Sequence, residues 1–361
     1  MSDNKRLYVV ILAGGGGTRL WPLSRSRTPK HLQSLCGDGT MIAQTYERVH
    51  PLLDDDHVFV VTVADQAEAV RAALPALPYN NVVIEPVGRN TAPCLGLMAM
   101  VIAGQDPDAI MAALPADHAV DDPDAFRDVL LAAAEAAEEG HLVTLGIQPT
   151  SPETGYGYIE RGESLGRRKG HEVFAVSRFT EKPDLATAER FLQSGRYYWN
   201  SGMFVWKVAA FLPLLKEHVP DVCASLEALR PDLGTERQTA TLAGAWPTLR
   251  SVSIDFGVME KAQDVVVVPA EMGWSDVGSW TSVAARIRGD EDGNVTQGDG
   301  LLVDCRNTYV RSAGRLVAAI GLEDMIIVDS GDALLVCPKD RAQDVKKLVE
   351  QLQRDGMTKY L

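Results

Sequence analysis

Glycines and basic side chains cluster directly after the first apolar run of the sequence. Gly14–Gly17 follow the run Leu7–Ala13, and Arg19 and Lys30 come shortly after the glycines. Glycine accepts a left-handed backbone, and a glycine-rich turn lets successive backbone N–H groups approach an anion closely. The two cations would offset the negative charge of phosphates. The pattern therefore predicts a phosphate-binding loop, with a flexible turn that binds nothing as the alternative.

Two familiar glycine-rich loops do not fit this segment. A Walker A loop requires Gly-Lys-Ser/Thr after its glycines, whereas this sequence continues Thr18-Arg19-Leu20. A dinucleotide fingerprint requires a third glycine, here replaced by Arg19, and an acidic residue at a strand end about 20 residues later. That interval reaches Cys36–Asp38, where no strand pattern occurs. The loop therefore belongs to neither class.

Two acidic residues lie in loops suited to holding a cation. Asp117 comes shortly after the apolar run Ala109–Leu114, and Asp276 lies in a loop with a glycine at each end. Mg²⁺ prefers a few carboxylates together with substrate phosphates. Asp117 and Asp276 therefore form a candidate Mg²⁺ site, and a helix cap or a turn residue is the alternative interpretation of each.

A third set of polar residues suits a sugar phosphate. Lys182 precedes Pro183, which ends the strand pattern before it, so that the lysine projects from a strand terminus. Glu160 and Asn200 lie in segments that offer carboxylate, amide and hydroxyl groups to sugar hydroxyls. Taken alone, a solvated surface lysine is the more common case, and any loop contains such polar groups.

Alternating strand and helix patterns must position these residues. The first two-fifths of the sequence contains short apolar runs that predict buried strands, at Leu7–Ala13, His57–Ala64, Asn81–Glu85, Ala109–Leu114 and Leu142–Ile147. Helical patterns separate them, at Thr40–Leu53, Asp65–Leu74, Thr91–Gln105 and Asp124–Gly140. Repeated strand–helix–strand units predict an α/β fold with a Rossmann-like, mostly parallel sheet flanked by helices. Ligands of such sheets bind beyond the carboxyl ends of the strands.

The remainder of the sequence predicts a mixed region and a small β unit. Strands are expected at Gly157–Arg161, Glu172–Thr180, Gly202–Val208 and Val265–Pro269, with helices at Leu185–Ser194 and Ala209–His218. The acidic, turn-forming segment Gly289–Gly300 is the expected boundary, short strands follow up to Pro338, and a helix at Arg341–Arg354 closes the chain. We therefore predict two domains, a catalytic domain over residues 1–288 and a small β domain over residues 289–361.

Composition and charge restrict the class of protein. The 361 residues are 46% hydrophobic and carry a formal net charge of −14, which repels nucleic acid and anionic lipid, so neither is an expected partner. The five cysteines are widely spaced and lack a C-x-x-C pair, which fits a reducing compartment. No apolar run near the start is long enough to span a membrane. We expect the protein in the cytoplasm.

The motifs in combination resemble the nucleotide-sugar pyrophosphorylases, and among them the mannose-1-phosphate guanylyltransferases. The resemblance covers roughly residues 5–285 and rests on short motifs spread along the chain. They are Leu12–Arg25, Pro29-Lys30, Glu85-Pro86 with Gly88–Pro93, Pro115–His118, Phe179–Pro183, Trp199–Phe204, Ser253–Asp255 and Trp274–Trp280. The resemblance implies a nucleotide-diphospho-sugar transferase fold and a short C-terminal domain of β-helical type.

The resemblance also implies a role for each matching residue. Arg19, Lys30 and Lys182 would be catalytic, and Asp117 and Asp276 would hold Mg²⁺. The residues expected at the nucleotide are Leu12, Ala13, Gly14, Gly15, Gly16, Gly17, Thr18, Glu85, Arg89, Asn90, Thr91 and Asp117. The residues expected at the sugar phosphate are Gly157, Glu160, Lys182, Asn200 and Asp255.

The implied reaction joins GTP and α-D-mannose 1-phosphate to give GDP-mannose and pyrophosphate. It requires no protein nucleophile, because the sugar phosphate attacks the α-phosphorus in line and the protein supplies positioning and charge neutralisation. The same chemistry on another sugar 1-phosphate or nucleotide stays open, as does a non-catalytic regulatory paralogue. The resemblance further implies a homodimer. Some relatives continue into an isomerase domain, and since this sequence ends at Leu361, we expect no isomerase activity.

Overall fold

The computed structural model describes residues 5–361; Met1–Asn4, with which the first predicted domain begins, lie outside the described residues. Two compact units make up the described chain. The first contains the chain up to Gly14 together with Thr45–Ala116 and Val120–Trp274. The second contains Gly15–Gln44, Asp117–Ala119 and Ser275–Leu361.

Helices and strands alternate in the first half of the chain and short strands dominate its end. The strands are β1 Leu7–Ala13, β2 Val58–Val63, β3 Val82–Glu85, β4 Ile110–Pro115, β5 Leu142–Ile147, β6 Tyr158–Arg168, β7 His171–Thr180, β8 Tyr197–Lys207, β9 Val265–Ala270, β10 Val295–Gln297, β11 Gly300–Val303, β12 Tyr309–Arg311, β13 Val317–Ile320, β14 Met325–Asp329 and β15 Leu334–Pro338. The helices are α1 Met41–Val49, α2 Ala67–Ala73, α3 Thr91–Gln105, α4 Pro123–Glu138, α5 Leu185–Ser194, α6 Val208–His218, α7 Pro220–Leu229, α8 Gln238–Ala245, α9 Trp280–Ala284 and α10 Val345–Arg354.

One mixed sheet forms the framework of the first unit. Among the described residues its strand order is β3-β2-β1-β4-β8-β5-β9-β7-β6. Strands β3, β2, β1 and β4 pair in parallel, while β8 runs antiparallel to both β4 and β5. The parallel part consists of the strands predicted from apolar runs, and β1 and β5 have the predicted bounds. The α/β fold class is confirmed.

Helix α3 is buried on nearly all sides, which explains its uniformly apolar sequence. Ten of its residues are buried, and it packs with helices α6 and α7 against the side of β1 that carries Tyr8 and Val10. Gly96 allows this close approach, because a Cβ there would lie 2.6 Å from Leu215 and 2.7 Å from Leu226. The interior of the first unit is thus a continuous apolar layer beneath the sheet.

The second unit combines the chain after the glycine loop with the C-terminal strands. Strands β10, β12 and β14 pair in parallel, as do β11 and β13, in the manner of a β-helix. Leu20 and Trp21 belong to the same apolar core as Trp280 and Tyr309. The Trp280 indole donates to the Trp21 carbonyl at 2.9 Å, and the Trp21 indole donates to the Tyr360 carbonyl at 2.8 Å. The small C-terminal β-helix-like domain is confirmed.

The sequence-based bounds differ from the structure in several places. The boundary predicted between residues 288 and 289 stays a prediction; the compact unit draws in Gly15–Gln44 and Ser275–Leu361 because their apolar side chains share one core. Strand β10 lies inside the segment that was expected to be a turn. The segment forms a strand there because Val295 packs into the core. Helices α7, α8 and α9 were not predicted, because their apolar residues pack into cores formed by distant segments. No helix among residues 5–361 is long and apolar enough to cross a membrane.

Candidate functional site

The glycine loop is open at its start and tightly packed at its last glycine. A Cβ at Gly14 or Gly15 would meet nothing within 4 Å, so the first part of the loop has open space around it. Gly17 instead has a φ of +58°, and a Cβ there would lie 2.5 Å from the Lys30 Cβ. The Ser24 hydroxyl donates to the Gly16 carbonyl at 2.7 Å and holds the end of the loop. Gly17 is therefore required both by its backbone conformation and by the close approach of Lys30.

We expect Gly17→Ala to lower the free energy of unfolding by about 2 kcal/mol, because the left-handed conformation and the contact with Lys30 both penalise a Cβ. Gly15→Ala is the matched control, since the added methyl group meets open space. Chemical denaturation of both variants measures the difference. Equal stability of the two variants would contradict the assigned role of Gly17.

Lys30 joins the two predicted metal-binding residues within the second unit. Its side chain is buried, and its Nζ donates to Asp117 Oδ2 at 2.8 Å and to the backbone carbonyl of Asp276. Burial alone raises the pKa of Asp117, but the charges of Lys30 and His118 outweigh it and lower the pKa to about 2. Asp117 is therefore ionised at neutral pH. The structure brings three residues predicted from separate motifs into one cluster.

His31 is a member of this cluster that the sequence did not single out. The ring is buried, and its Nε2 has no hydrogen-bond partner within residues 5–361. Burial lowers the pKa of His31 to about 4, against the opposing charge of Asp117, so the imidazole is neutral at pH 7. Its position directly after Lys30 was the only signal in the sequence. A neutral ring beside Lys30 adds no further positive charge to the pair.

The carboxylates of this cluster fit a hard divalent cation. The described residues contain no group of three or more His, Cys, Asp or Glu side chains able to hold a metal by themselves. Lys30 contacts both the Asp117 carboxylate and the Asp276 backbone, and Asp276 Oδ1 accepts from the Gly278 N–H at 3.0 Å. Mg²⁺ is commonly held by one or two carboxylates together with substrate phosphates. Carboxylate oxygens are donors of the kind that this ion prefers.

Arg19 lies on the surface of the second unit. Arg19 is the middle residue of the short helical turn Thr18–Leu20, which follows Gly17. Its guanidinium donates to Gln343 Oε1 at 2.9 Å. The next arginine along the chain, Arg25, forms a two-pronged ion pair with Asp332, at 2.8 and 2.6 Å. Arg19 is thus exposed and held by a neutral partner, which leaves its positive charge available to an anion.

A cavity of about 440 Å³ in the first unit collects residues predicted for both substrates. It is lined by Asn90, Thr91, Glu181, Lys182, Ser251, Val252, Ser253, Asp255 and Phe256. Lys182 has a φ of +48° and its Nζ pairs with Glu181 Oε1. Gly157 faces the same carboxylate, because a Cβ there would lie 2.5 Å from Glu181 Oε2. The sequence prediction missed Glu181, although it directly precedes Lys182.

Asn200 pairs directly with Asp255, which lines this cavity. Asn200 Nδ2 donates to Asp255 Oδ1 at 2.8 Å. Asp255 begins a π-helical turn, an irregular element often found at functional sites. Burial and the negative charge of Glu181 raise the pKa of Asp255 to about 6, although the hydrogen bond from Asn200 and the charge of Lys182 oppose the shift. The carboxylate therefore titrates close to neutral pH.

A two-residue bulge in β8 presents Asn200. Strand β5 pairs Thr144 with Phe204 but Gly146 with Asn200, so β8 accommodates two additional residues between these pairs. Gly202 has a φ of +69°, which glycine adopts readily. The buried Ser201 hydroxyl donates to the Leu145 carbonyl at 2.7 Å. The Asn-Ser-Gly motif thus encodes a bulge as well as a polar side chain.

The residues predicted at the nucleoside lie at the end of β3 and the start of α3. Burial raises the pKa of Glu85 to about 7 despite hydrogen bonds from the Cys94 thiol and the Arg89 N–H. The Arg89 guanidinium donates to the Pro247 carbonyl. Asn90 caps α3 with a φ of +68°, and the Thr91 hydroxyl accepts from the Ile254 N–H at 2.8 Å. Thr91 thereby ties the start of α3 to the segment that carries Asp255.

Gly157, Glu160 and Asn200 were predicted at the sugar but do not line the described cavity. Gly157 and Asn200 lie against its residues Glu181 and Asp255, and Glu160 does not. The Glu160 carboxylate pairs with Arg196 at 2.7 Å. Leu12 and Ala13 are the last residues of β1, and the Thr62 hydroxyl donates to the Ala13 carbonyl at 2.9 Å. The roles implied for these residues stay predictions.

Comparison with known proteins adds independent information. Residues 8–292 match the family described as Nucleotidyl transferase, and residues 298–352 match a mannose-phosphate isomerase/GMP-like β-helix domain. The mannose-1-phosphate guanylyltransferase of Escherichia coli (strain K12) is 41% identical over 97% of this chain and 74% of its own length. The xanthan biosynthesis protein XanB of Xanthomonas campestris pv. campestris (strain B100) is 41% identical over 99% of this chain and 74% of its own length.

A solved structure agrees over nearly the whole chain. A protein of Thermus thermophilus, named mannose-1-phosphate geranyltransferase, superimposes with a TM-score of 0.85 at 34% identity. The match covers 96% of this chain and 99% of the other. The fold, including the C-terminal β-helical strands, is therefore shared with the Thermus thermophilus protein.

Proposed function

Since the chain belongs to the nucleotidyl transferase family, we propose that it transfers GMP from GTP to α-D-mannose 1-phosphate, releasing pyrophosphate and GDP-mannose. The observation that carries the choice of substrates is 41% identity over nearly the whole chain to relatives named mannose-1-phosphate guanylyltransferase. The chain is an enzyme of the nucleotidyltransferase class. The presence of Arg19, Lys30, Asp117, Lys182 and Asp276 argues against the regulatory alternative, because a non-catalytic paralogue has no need of the complete set.

The second unit supplies groups for the triphosphate. The part of the glycine loop in this unit has open space at Gly15, where a backbone N–H group can approach phosphate oxygens. Arg19 offers an exposed guanidinium that offsets negative charge on the triphosphate and on the departing pyrophosphate. Lys30 is buried and acts on Asp117. Its ammonium keeps the Asp117 carboxylate ionised and joins it to the Asp276 loop. These groups lower the charge repulsion between two polyanionic substrates.

The first unit supplies groups for the sugar phosphate. The Lys182 side chain is exposed, so its ammonium can leave Glu181 and donate hydrogen bonds to the phosphate instead. Such hydrogen bonds between charged groups are strong. Asn200 and Asp255 offer an amide and a carboxylate to sugar hydroxyls. Asn90 and Thr91, which were predicted at the nucleoside, line the same cavity. Their presence supports a nucleoside bound next to the sugar phosphate. These groups would hold the sugar phosphate in one orientation within the first unit.

Nucleotidyltransferases of this family generally use a divalent metal, and we propose Mg²⁺ held by Asp117 and Asp276. When bound, the ion withdraws negative charge from the phosphate oxygens. We expect Asp276→Asn to raise the Mg²⁺ concentration for half-maximal activity by at least about tenfold. The matched control is Asp124→Asn, whose side chain is 88% exposed on helix α4. An unchanged Mg²⁺ dependence in Asp276→Asn would remove this residue from the metal site.

The substrates are tested by a product assay. The protein is incubated with Mg²⁺, mannose 1-phosphate and each of the four nucleoside triphosphates in turn, and pyrophosphate and the sugar nucleotide are quantified. Formation of GDP-mannose with a preference for GTP is the expected result. A faster reaction with another triphosphate or another sugar 1-phosphate would keep the chemistry and overturn the assignment of substrates. Inactivity with every pair would favour the regulatory alternative.

Sugar-phosphate binding is expected to weaken as the pH falls through about 6. Below its raised pKa, Asp255 becomes a neutral acid and accepts hydrogen bonds less strongly. We expect the KM for mannose 1-phosphate to rise severalfold between pH 7 and pH 5.5, while the KM for GTP changes less. The phosphate monoester itself titrates near pH 6, so Asp255→Asn is the control. The variant should lose the part of the pH dependence that belongs to Asp255, and an identical profile in both proteins would contradict this assignment.

We also propose a homodimer in the cytoplasm. Several apolar side chains are exposed on the C-terminal strands and the segment before β13, namely Leu301, Val303, Leu316 and Ile320. A second copy would cover them from water. Five free cysteines fit a reducing compartment. Light scattering during size-exclusion chromatography tests the dimer, and a monomeric mass at micromolar concentration would contradict it.

A further inference from the structure

The amide of Asn200 is oriented by three hydrogen bonds. Its Oδ1 accepts from the Gly202 N–H at 3.0 Å and from the Thr144 hydroxyl at 3.2 Å. Its Nδ2 donates to Asp255 at 2.8 Å. The reverse orientation would place Nδ2 against the Gly202 N–H and Oδ1 against a carboxylate, so it is excluded on both sides. Both lone pairs of Oδ1 are therefore used within the protein.

Thr144 has no exposed surface, and its position on β5 faces the bulge that presents Asn200. Because Asn200 Oδ1 only accepts, the Thr144 hydroxyl must be the donor in this contact. A buried hydroxyl on a central strand is held in place by the surrounding core far better than a group on a loop. The strand thus supplies a rigid reference point for a side chain that contacts Asp255 of the cavity.

We propose that Thr144 is a positioning residue for sugar-phosphate binding, which it serves by holding the Asn200 amide toward Asp255. Thr144 itself does not reach the substrate, because it is fully buried. Asn200 Nδ2 carries two hydrogens, of which one goes to Asp255 and the other is offered to a sugar hydroxyl. The inference rests on the proposed function, since it assigns the sugar to the cavity beside Asn200 and Asp255.

Loss of the Thr144 hydroxyl has a local and specific consequence. One lone pair of the half-buried Asn200 Oδ1 loses its donor, and the amide can rotate about its side-chain bond to find another. Rotation moves Nδ2 away from Asp255, which weakens the hydrogen bond that holds down the pKa of that carboxyl against burial and the charge of Glu181. Lys182, whose charge also lowers the pKa of Asp255, is untouched by the change.

The test compares Thr144→Val with Thr144→Ser in steady-state assays. Valine has nearly the shape of threonine and cannot donate, whereas serine keeps the hydroxyl. We expect Thr144→Val to raise the KM for mannose 1-phosphate about tenfold while the KM for GTP stays within about twofold, and Thr144→Ser to restore binding. Equal changes in both KM values, or no change in either, would overturn the inference.

Two further measurements separate positioning from a general loss of structure. The pH midpoint of mannose 1-phosphate binding should move upward in Thr144→Val, because Asp255 loses a hydrogen bond that favours its charged form. In an Asn200→Ala background, Thr144→Val should have no additional effect on the KM for the sugar phosphate. An unmoved midpoint, or full additivity of the two substitutions, would overturn the inference.

The outcomes also distinguish this inference from the proposed function. If the unaltered protein does not use mannose 1-phosphate, the proposed function fails before any variant is made. If the unaltered protein is active and Thr144→Val has the same KM for mannose 1-phosphate, only the role of Thr144 fails. Should Thr144→Val not fold, Thr144→Ala removes the same hydroxyl with a smaller side chain, and the same KM comparison applies.

Discussion

Replacing Lys30 with methionine is expected to lower kcat about a thousandfold, the range observed when one preorganised electrostatic group is removed from an active site. The ammonium of Lys30 is the group that joins Asp117 to the Asp276 loop. Methionine fills a similar volume but carries no charge, so Asp117 would remain half-buried without its nearest cation. Steady-state kinetics at saturating GTP, mannose 1-phosphate and Mg²⁺ measure the effect.

The same substitution should also change the acid behaviour of Asp117. Lys30 and His118 hold the pKa of Asp117 at about 2 against its burial. A depressed folded-state pKa contributes stability above the unfolded-state value, and this contribution is lost as the pH falls toward 2. The stability deficit of Lys30→Met should therefore be present at pH 7 and shrink below pH 4. A deficit that is independent of pH would mean that lost packing, and not lost charge, is responsible.

Lys346→Met is a matched control for Lys30→Met. Lys346 belongs to the same unit, but its side chain is 64% exposed on helix α10, where it pairs with Glu350 at 3.7 Å. Exposed ion pairs of this kind contribute little to stability. The control should therefore retain kcat and stability. A comparable loss of kcat in both variants would contradict a special role for Lys30.

Replacing Lys182 with methionine is expected to raise the KM for mannose 1-phosphate about a hundredfold and to leave the KM for GTP nearly unchanged. One hydrogen bond to a charged group contributes about 1.5–3 kcal/mol, which corresponds to this range. In the structure the Lys182 ammonium is held by Glu181 at the cavity that also contains Asp255. Initial rates measured with each substrate varied in turn separate the two KM values.

A second lysine with the same backbone conformation serves as the control for Lys182. Lys169 has a φ of +45° and Lys182 a φ of +48°, and Lys169 lies between β6 and β7. Methionine at either position retains the backbone strain of a left-handed residue, so a difference between the variants reports on the charge. Lys169→Met should bind mannose 1-phosphate normally. An effect of Lys182→Met confined to GTP would contradict its assignment to the sugar phosphate.

Features that depend on neighbours in the chain could be read from the sequence. The apolar run of β1 and the four glycines after it predict a strand followed by a loop, since both signals are local, and the structure has both; that the loop binds an anion stays a prediction. Helix α3 has the predicted bounds Thr91–Gln105 because Asn90 caps its start and its interior lacks charge. The family resemblance rested on such contiguous motifs, and the comparisons confirm it.

Features that depend on which distant segments meet could only come from the tertiary structure. Glu160 pairs with Arg196 because β6 and β8 are neighbours in the sheet, and no spacing in the sequence encodes that register. His31 is neutral because the fold buries it beside Lys30 and Asp117, and burial is a property of packing. The core that contains Trp21 and Trp280 likewise forms only when two segments that are distant in the sequence pack together.

Asn200 illustrates both contributions in one residue. The Asn-Ser-Gly motif and the resemblance predicted its polar role from the sequence alone. Its orientation depends on a bulge in β8, on the Gly202 N–H and on a Thr144 hydroxyl from another strand. Residue type determines which hydrogen bonds an amide can form, whereas strand register and burial decide which of them it does form.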